Sequence, residues 1–210
     1  MYTACRTVLS SILFMLTTTD AIVLSLQPHS DKAHILHAYT RTDGRVNYMV
    51  YGLGRKHGAG LYAPLSLLQI TADSTPNRPA SVRTAHLSFV PSSITTHPYK
   101  QTIALFLSEV LYHTLRHPME DEALFAYIAQ SVQLLDAEPE PHDFHLRFLI
   151  GLAERLGFAI DENTHPELYR TPHTRTERQQ QLRQLCAYME EHVDSWQSPR
   201  SLDVLMEVFD

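Results

Sequence analysis

The chain has 210 residues and a formal net charge of −6, with the apolar content of a globular protein, enough for one large domain or two small ones. No apolar run reaches the roughly 18–20 residues of a membrane span. Its two cysteines, Cys5 and Cys186, form no CxxC pair, which excludes a disulfide framework and argues against a structural zinc.

The net charge hides an asymmetry. From Asp20 to Thr95 there are seven Lys/Arg against four Asp/Glu, and from Thr96 to Asp210 nine against nineteen. A split of this kind suggests two modules with different partners, the basic one facing a polyanion. The acidic half also has a simpler reading, as a set of solvated helix faces.

Met1 to Phe14 has one arginine and an apolar patch, with no small-x-small cleavage site before Thr17-Thr18-Thr19-Asp20, so it resembles a signal peptide only weakly. A second methionine, Met15, stands just before the first strand. Residues 1–14 are therefore expected to be an unstructured leader, with the working protein starting at Met15.

From Asp20 to about Pro91 the pattern is that of β-strands. Ala21 to Leu26 reads as a strand, Gln27 to Asp31 as a turn, and Ala33–Thr40 and Arg45–Tyr51 as hairpin arms. Asp43-Gly44 between those arms is a strong hairpin signal, because glycine tolerates the positive φ such turns need. Leu65–Ala72 and Ser81–Val90 complete five strands in about 70 residues, a count that suits a small barrel. Arg41, Arg45, Arg55 and Lys56 surround the hairpin, with Tyr39, Tyr48 and Tyr51 interleaved. Such cations and rings on a β-scaffold suit single-stranded nucleic acid, whose phosphates follow the cations while its bases stack on the rings. The alternative is that the tyrosines fill the core and the arginines are ordinary solvated charges.

Beyond Pro91 the period turns helical. Pro98 suits a first helical position, and the following helix is apolar nearly all round, which places it at the centre of its bundle. Glu120-Asp121-Glu122 opens a second helix with acids at the positive end of its dipole. A third, with Phe144, Phe148, Leu149, Leu152 and Leu156, ends at Gly157. After a polar loop, Ala159 to His173, Thr174 and Glu177 form a capping-box pattern ahead of a fourth. Ser198-Pro199 starts a short fifth, with Leu202, Leu205, Met206 and Phe209 inward. The expectation is an α+β chain of two domains: a five-stranded oligonucleotide-binding (OB) type β-barrel over 15–95 and an all-α domain over 96–210.

Signatures of catalysis are mostly absent. The sequence has no GxSxG, no P-loop and no GxGxxG after a strand. The one metal-like constellation is Glu109, His113 and His117 at i, i+4 and i+8, with His142 and His145 a weaker pair. Cys186 falls on an apolar stripe and reads as a core residue.

The order of motifs resembles the RecO family of bacterial recombination mediators. The likeness runs through Ala21-Ile22-Val23-Leu24, Tyr39-Thr40, Gly44-Arg45, Gly52-Leu53-Gly54-Arg55-Lys56 and Pro64-Leu65. It continues with Ile103 to Leu111, Glu122 to Asp136, Phe144 to Phe158 and the closing Ser201 to Phe209. The resemblance implies an OB-type barrel followed by a helical domain, and binding of single- and double-stranded DNA with annealing of complementary strands. It also implies work with RecR to help RecA replace the single-strand-binding protein SSB, whose acidic-hydrophobic tail is contacted through the helical domain. Carried over, the DNA-facing positions are Arg41, Arg45, Arg55 and Lys56, with Arg83 and Lys100 added. Many members hold a four-cysteine zinc module after the position of Gly157-Phe158; Ala159 to His173 has no cysteine, so zinc is not carried over.

The expected protein is thus a cytoplasmic, nucleoid-associated DNA-repair mediator that needs no cofactor and makes and breaks no covalent bond. Two other readings stay open: a metal-dependent hydrolase using Glu109, His113 and His117, and a protein-interaction scaffold that binds no nucleic acid.

Overall fold

The structure is a computed structural model that describes residues 15–53, 58–75, 78–194 and 196–208. The expected leader, residues 1–14, and Phe209 lie outside the described residues. Five strands, β1 (Met15–Ser30), β2 (Ala33–Thr40), β3 (Gly44–Tyr51), β4 (Leu67–Thr75) and β5 (Arg78–Leu87), close into a barrel of order β1-β2-β3-β5-β4. All pairings are antiparallel except β3 with β5. Five helices follow: α1 (Pro98–Thr114), α2 (Glu122–Ala137), α3 (Phe144–Arg155), α4 (Arg175–His192) and α5 (Leu202–Val208). The OB-type barrel with helices after it is the expected fold class.

β1 is much longer than the apolar run that announced it. Its first half pairs with β4, from Met15 opposite Ser74 to Ile22 opposite Leu67, and its second half pairs with β2. The β-branched Thr17, Thr18 and Thr19 suit the first half, where Thr18 and Thr71 hydroxyls meet across the strands at 2.8 Å. The expected turn at Gln27–Asp31 shrinks to Asp31-Lys32, because irregularities near Leu24 and Pro28 bend the strand while pairing continues.

Ala21, Ile22, Val23 and Leu24 are all buried, but in two different cores. Ala21 and Val23 point into the barrel with Leu36, Val50, Leu68 and Ile70. Ile22 and Leu24 join Tyr39, Leu65 and Leu67 in the helical core, against Phe106, Leu107, Val110 and Phe125. Successive strand residues face opposite ways, so a continuous apolar run is a strand covered on both sides. α1 is apolar nearly all round for the same reason: β1 packs on one side of it, and α2 and α5 on others.

The β2–β3 hairpin is pressed against the helices. Gly44 takes a left-handed φ of 62°, and a side chain there would fall on the backbone of Met119, in the loop before α2. Thr40 Oγ1 accepts the Asp43 N–H at 3.1 Å and donates to the Gly44 carbonyl at 3.0 Å, fixing the turn.

α2 is capped by Asp121, whose side chain accepts the Leu124 N–H, and α4 by the capping box of Thr174 and Glu177. α5 starts later than Ser198-Pro199 suggests. Its first turn is held by Glu109 on α1, whose Oε2 accepts the Ser201 N–H at 3.0 Å and Oγ–H at 2.8 Å. The cysteine-free loop between α3 and α4 is anchored by buried Ile160 and Leu168. Tyr169 and Tyr188 donate their hydroxyls to backbone carbonyls at Ile160, Phe158 and Ala159.

Candidate nucleic-acid interface

The four expected DNA-facing cations among the described residues, Arg41, Arg45, Arg83 and Lys100, do not share a surface. Arg41 and Arg45 flank the hairpin turn at the end of the barrel that meets the helices. The Arg41 guanidinium lies over the Phe125 ring, 4.6 Å from its centroid, and bonds Asp20 and Glu122 at 3.2 Å each. The Arg45 guanidinium lies 4.4 Å from the Tyr112 centroid, and its Nη1 donates to the carbonyls of Tyr112 at 3.2 Å and Leu115 at 3.1 Å. Those carbonyls belong to the last turn of α1, where helix geometry leaves them unpaired and the dipole favours a cation. Burial draws the Arg45 guanidinium down from its ordinary pKa, offset by Tyr112. Both arginines therefore join the barrel to the helical half.

Lys100 is interior. It is 4% exposed, and its ammonium donates to Ser93 Oγ at 2.6 Å and to the Asp136 carbonyl at 2.7 Å. The Asp136 carboxylate accepts the N–H groups of Ser92, Ser93 and Ile94, each within 2.9 Å. Burial alone would raise its pKa, but these N–H donors outweigh burial and hold it well below the usual carboxylate range. This network pins the connection between barrel and helices to the C-terminal end of α2. In this fold Lys100 is a structural residue, and no DNA contact is carried forward for it.

The metal-like trio is also drawn apart. α1 ends at Thr114, so His117 lies beyond the helix rather than two turns along one face. Glu109 is engaged with Ser201, and among the described residues no three His, Cys, Asp or Glu side chains converge to hold a metal ion. His145 is buried in α3, with its pKa pushed down to about 3 by burial and then by Arg178 and Arg147. His142 instead meets the Tyr99 hydroxyl at 2.9 Å. The hydrolase reading thus loses its ligand set.

The other end of the barrel is different. Arg45 and Tyr51 stand six residues apart on β3, about 20 Å at strand rise. There Ala33 pairs with Tyr51, and the Lys32 carbonyl accepts the Gly52 N–H at 3.4 Å. Tyr51 is 53% exposed and Lys32 is exposed. Parallel pairing sets Tyr48 beside Ala80 and Met49 beside Ser81, and Arg83 follows two residues on, at an irregularity in the β4–β5 pairing. Arg83 is 60% exposed and its Nε donates to Asp73 at 2.8 Å. Arg55 and Lys56 lie outside the described residues, between Leu53 and Gly58. Of the tyrosines interleaved with the cations, Tyr39 and Tyr48 are core residues, with burial pushing each hydroxyl up to about 12. Tyr51 remains accessible for stacking. No helix among the described residues is long and apolar enough to cross a membrane.

Two family profiles match this chain: "Recombination protein O N terminal" over residues 15–86 and "Recombination protein O C terminal" over residues 96–198. The chain is 31% identical to the DNA repair protein RecO of Bacteroides fragilis, across 93% of this chain and all of that one. It is 27% identical to the RecO protein of Christiangramia forsetii over the same shares, and 34% identical to that of Porphyromonas gingivalis across 70% of this chain and 63% of that one.

Proposed function

The chain belongs to the RecO family, and from that premise we propose that it is a DNA-binding recombination mediator in DNA repair that makes and breaks no covalent bonds. The barrel, residues 15–95, is the DNA-binding module, and residues 96–210 form a helical module without a zinc centre.

The observation that supports the reading best is the accessible end of the barrel. Lys32 and Tyr51 are exposed there, next to the chain that continues into Arg55 and Lys56, and Arg83 is exposed on β5. Cations at this end neutralise phosphates on two strands and so lower the repulsion that opposes their pairing. Tyr51 offers a ring on which an unpaired base stacks. Arg41 and Arg45 act differently from Lys32 at the free end: they hold the barrel on the helices.

The family resemblance supplies the partners. With RecR, the protein assists RecA in displacing SSB from single strands, in the cytoplasm, and the helical module receives the SSB tail. The test is strand annealing on SSB-coated DNA with and without RecR. Stimulation by this chain, further raised by RecR, is the expected result. No stimulation in either arm would leave the scaffold reading.

A further inference from the structure

A cleft of about 360 Å³ opens between β2–β3 and the C-terminal end of α1, lined by His37, Arg45, Asn47, Tyr112, His113 and Arg116. It adjoins a cavity of about 540 Å³ that shares Tyr112 and His113 with it and adds Glu109 and Arg200. Arg45 and Arg116 line the cleft and Arg200 the adjoining cavity, and among the described residues the single carboxylate lining either is Glu109, already accepting two hydrogen bonds from Ser201. Neither Arg45 nor Arg200 has an ion pair among the described residues. Positive charge brought together at this joint attracts an anion.

A second observation falls in the same cleft. His37 is nine-tenths buried, and its Nδ1 lies 2.6 Å from Asn47 Oδ1. That oxygen only accepts, so Nδ1 carries the proton and Nε2 is left with its lone pair. His37 Nε2 and Arg45 Nε are both buried without a hydrogen-bond partner among the described residues. A buried imidazole nitrogen and a buried guanidinium N–H, both unmatched, line one cleft.

We propose that this cleft binds a phosphate group, as a monoester or a diester, with Arg45, Arg116 and Arg200 supplying charge and His37 and His113 contacting its oxygens. A phosphate fits better than a carboxylate. It spreads up to two charges over three or more oxygens, which suits several guanidiniums and two imidazoles arriving from different elements, whereas a carboxylate has two oxygens in one plane.

The geometry couples binding to protons. His37 faces Asn47 and Arg45 on β3 and Tyr112 on α1. His113 faces Glu109 and Tyr112 on its own helix, with Arg116 beyond it, Arg45 from β3 and Arg200 from the segment before α5. Burial first and the neighbouring guanidiniums after it hold both imidazoles below their ordinary pKa, partly offset by Asn47 at His37 and Glu109 at His113. An anion reverses that balance. The imidazoles take up protons and turn from acceptors into donors, so affinity strengthens as pH falls.

The site stands apart from the DNA reading of the opposite barrel end, and its test needs no DNA. Inorganic pyrophosphate is titrated calorimetrically into the full chain at pH 6 and pH 8, at ionic strength matched with chloride, in buffers of different ionisation heat. The expected result is saturable binding of one equivalent, tighter at pH 6, with net proton uptake that falls in His37→Gln. Arg116→Gln and Arg200→Gln, at exposed positions, should each weaken binding about tenfold or more, as loss of a charge-assisted contact does, without changing the melting temperature. In further arms, a 5′-phosphorylated oligonucleotide preferred over its dephosphorylated form assigns the phosphate to DNA; a nucleoside diphosphate alone assigns it to a small molecule. No saturable binding, binding unchanged when Arg116→Gln and Arg200→Gln are combined, or a preference for an acidic peptide over pyrophosphate would overturn the proposal.

Discussion

The guanidinium of Arg45 lies over the ring of Tyr112 while donating to the carbonyls of Tyr112 and Leu115, so one side chain of the barrel closes the last turn of the first helix. Removing it should loosen the joint. Arg45→Ala is expected to cost about 2–3 kcal/mol, from the lost cation–π contact and the two carbonyls left without a donor. Urea denaturation of the full chain measures it. The salt dependence of DNA binding should not change. A stable variant with weakened, salt-insensitive DNA binding would mean that Arg45 meets a phosphate after all.

Lys100 tests the same distinction in the interior. Replacing it with Ala strips the donor from the Asp136 carbonyl and Ser93 Oγ, a change expected to cost about 2–4 kcal/mol and to lower the melting temperature. Asp136 adds a pH signature. Its folded pKa is depressed, so its contribution is fully present above the unfolded value of about 3.9 and is lost as pH falls below it. Asp136→Asn should be less stable at pH 7 and should show a shallower loss of stability below pH ~4. A Lys100→Ala protein that melts normally but binds DNA poorly would return Lys100 to the interface.

His145 gives a second window at higher pH. Burial, with Arg178 and Arg147 nearby, pushes its pKa down to about 3, so the folded protein holds the ring neutral. The unfolded chain protonates it below about 6.5. Between those values the unfolded state binds the extra proton, and stability falls as the solution is acidified. His145→Leu should flatten the slope of stability against pH from 6.5 to 5, read by urea titrations at fixed pH. An unchanged slope would show that His145 is already charged in the folded state.

Strand and helix content was legible in the sequence because it rests on local signals: alternation, the Thr174–Glu177 box, Pro98 at a helix start and glycine at Gly157 and Gly44. What sequence spacing could not give is which face of the barrel meets the helices. Arg41, Arg45 and Tyr39 have the composition of a nucleic-acid surface, yet Phe125 and Tyr112, some 70–85 residues away, cover them. The resemblance puts Lys100 among the DNA-facing positions, yet the Ser92–Ile94 turn and Asp136 close over it. One signal was available. Ala21 to Leu24 is apolar at every position, so the barrel must be covered on the outside there, and cations near that patch are candidates for the joint rather than the DNA. The missed residue, Lys32, takes its meaning only from the pairing that brings it beside Tyr51 at the far end.

The DNA interface itself is the sharpest test, because the two ends of the hairpin make opposite predictions. If Lys32, Arg55, Lys56 and Arg83 each meet a phosphate, single-strand affinity should fall with salt at a log–log slope of roughly −3, at about −0.7 per neutralised phosphate. Arg55→Ala with Lys56→Ala should make that slope shallower by about 1.4 and weaken all sequences alike, since phosphate contacts position a strand without reading it. Tyr51→Ala should act on the other component. Losing a stacked base lowers affinity by about 1–3 kcal/mol while leaving the slope where it was. Arg41→Ala should do neither; its loss separates Asp20, Glu122 and Phe125 and appears as a lower melting temperature. Fluorescence anisotropy with a labelled single strand across a salt series reads all three variants. Normal affinity and slope in the Arg55/Lys56 double variant, with loss of both in Arg41→Ala, would move the DNA from the free end of the barrel to its joint with the helices.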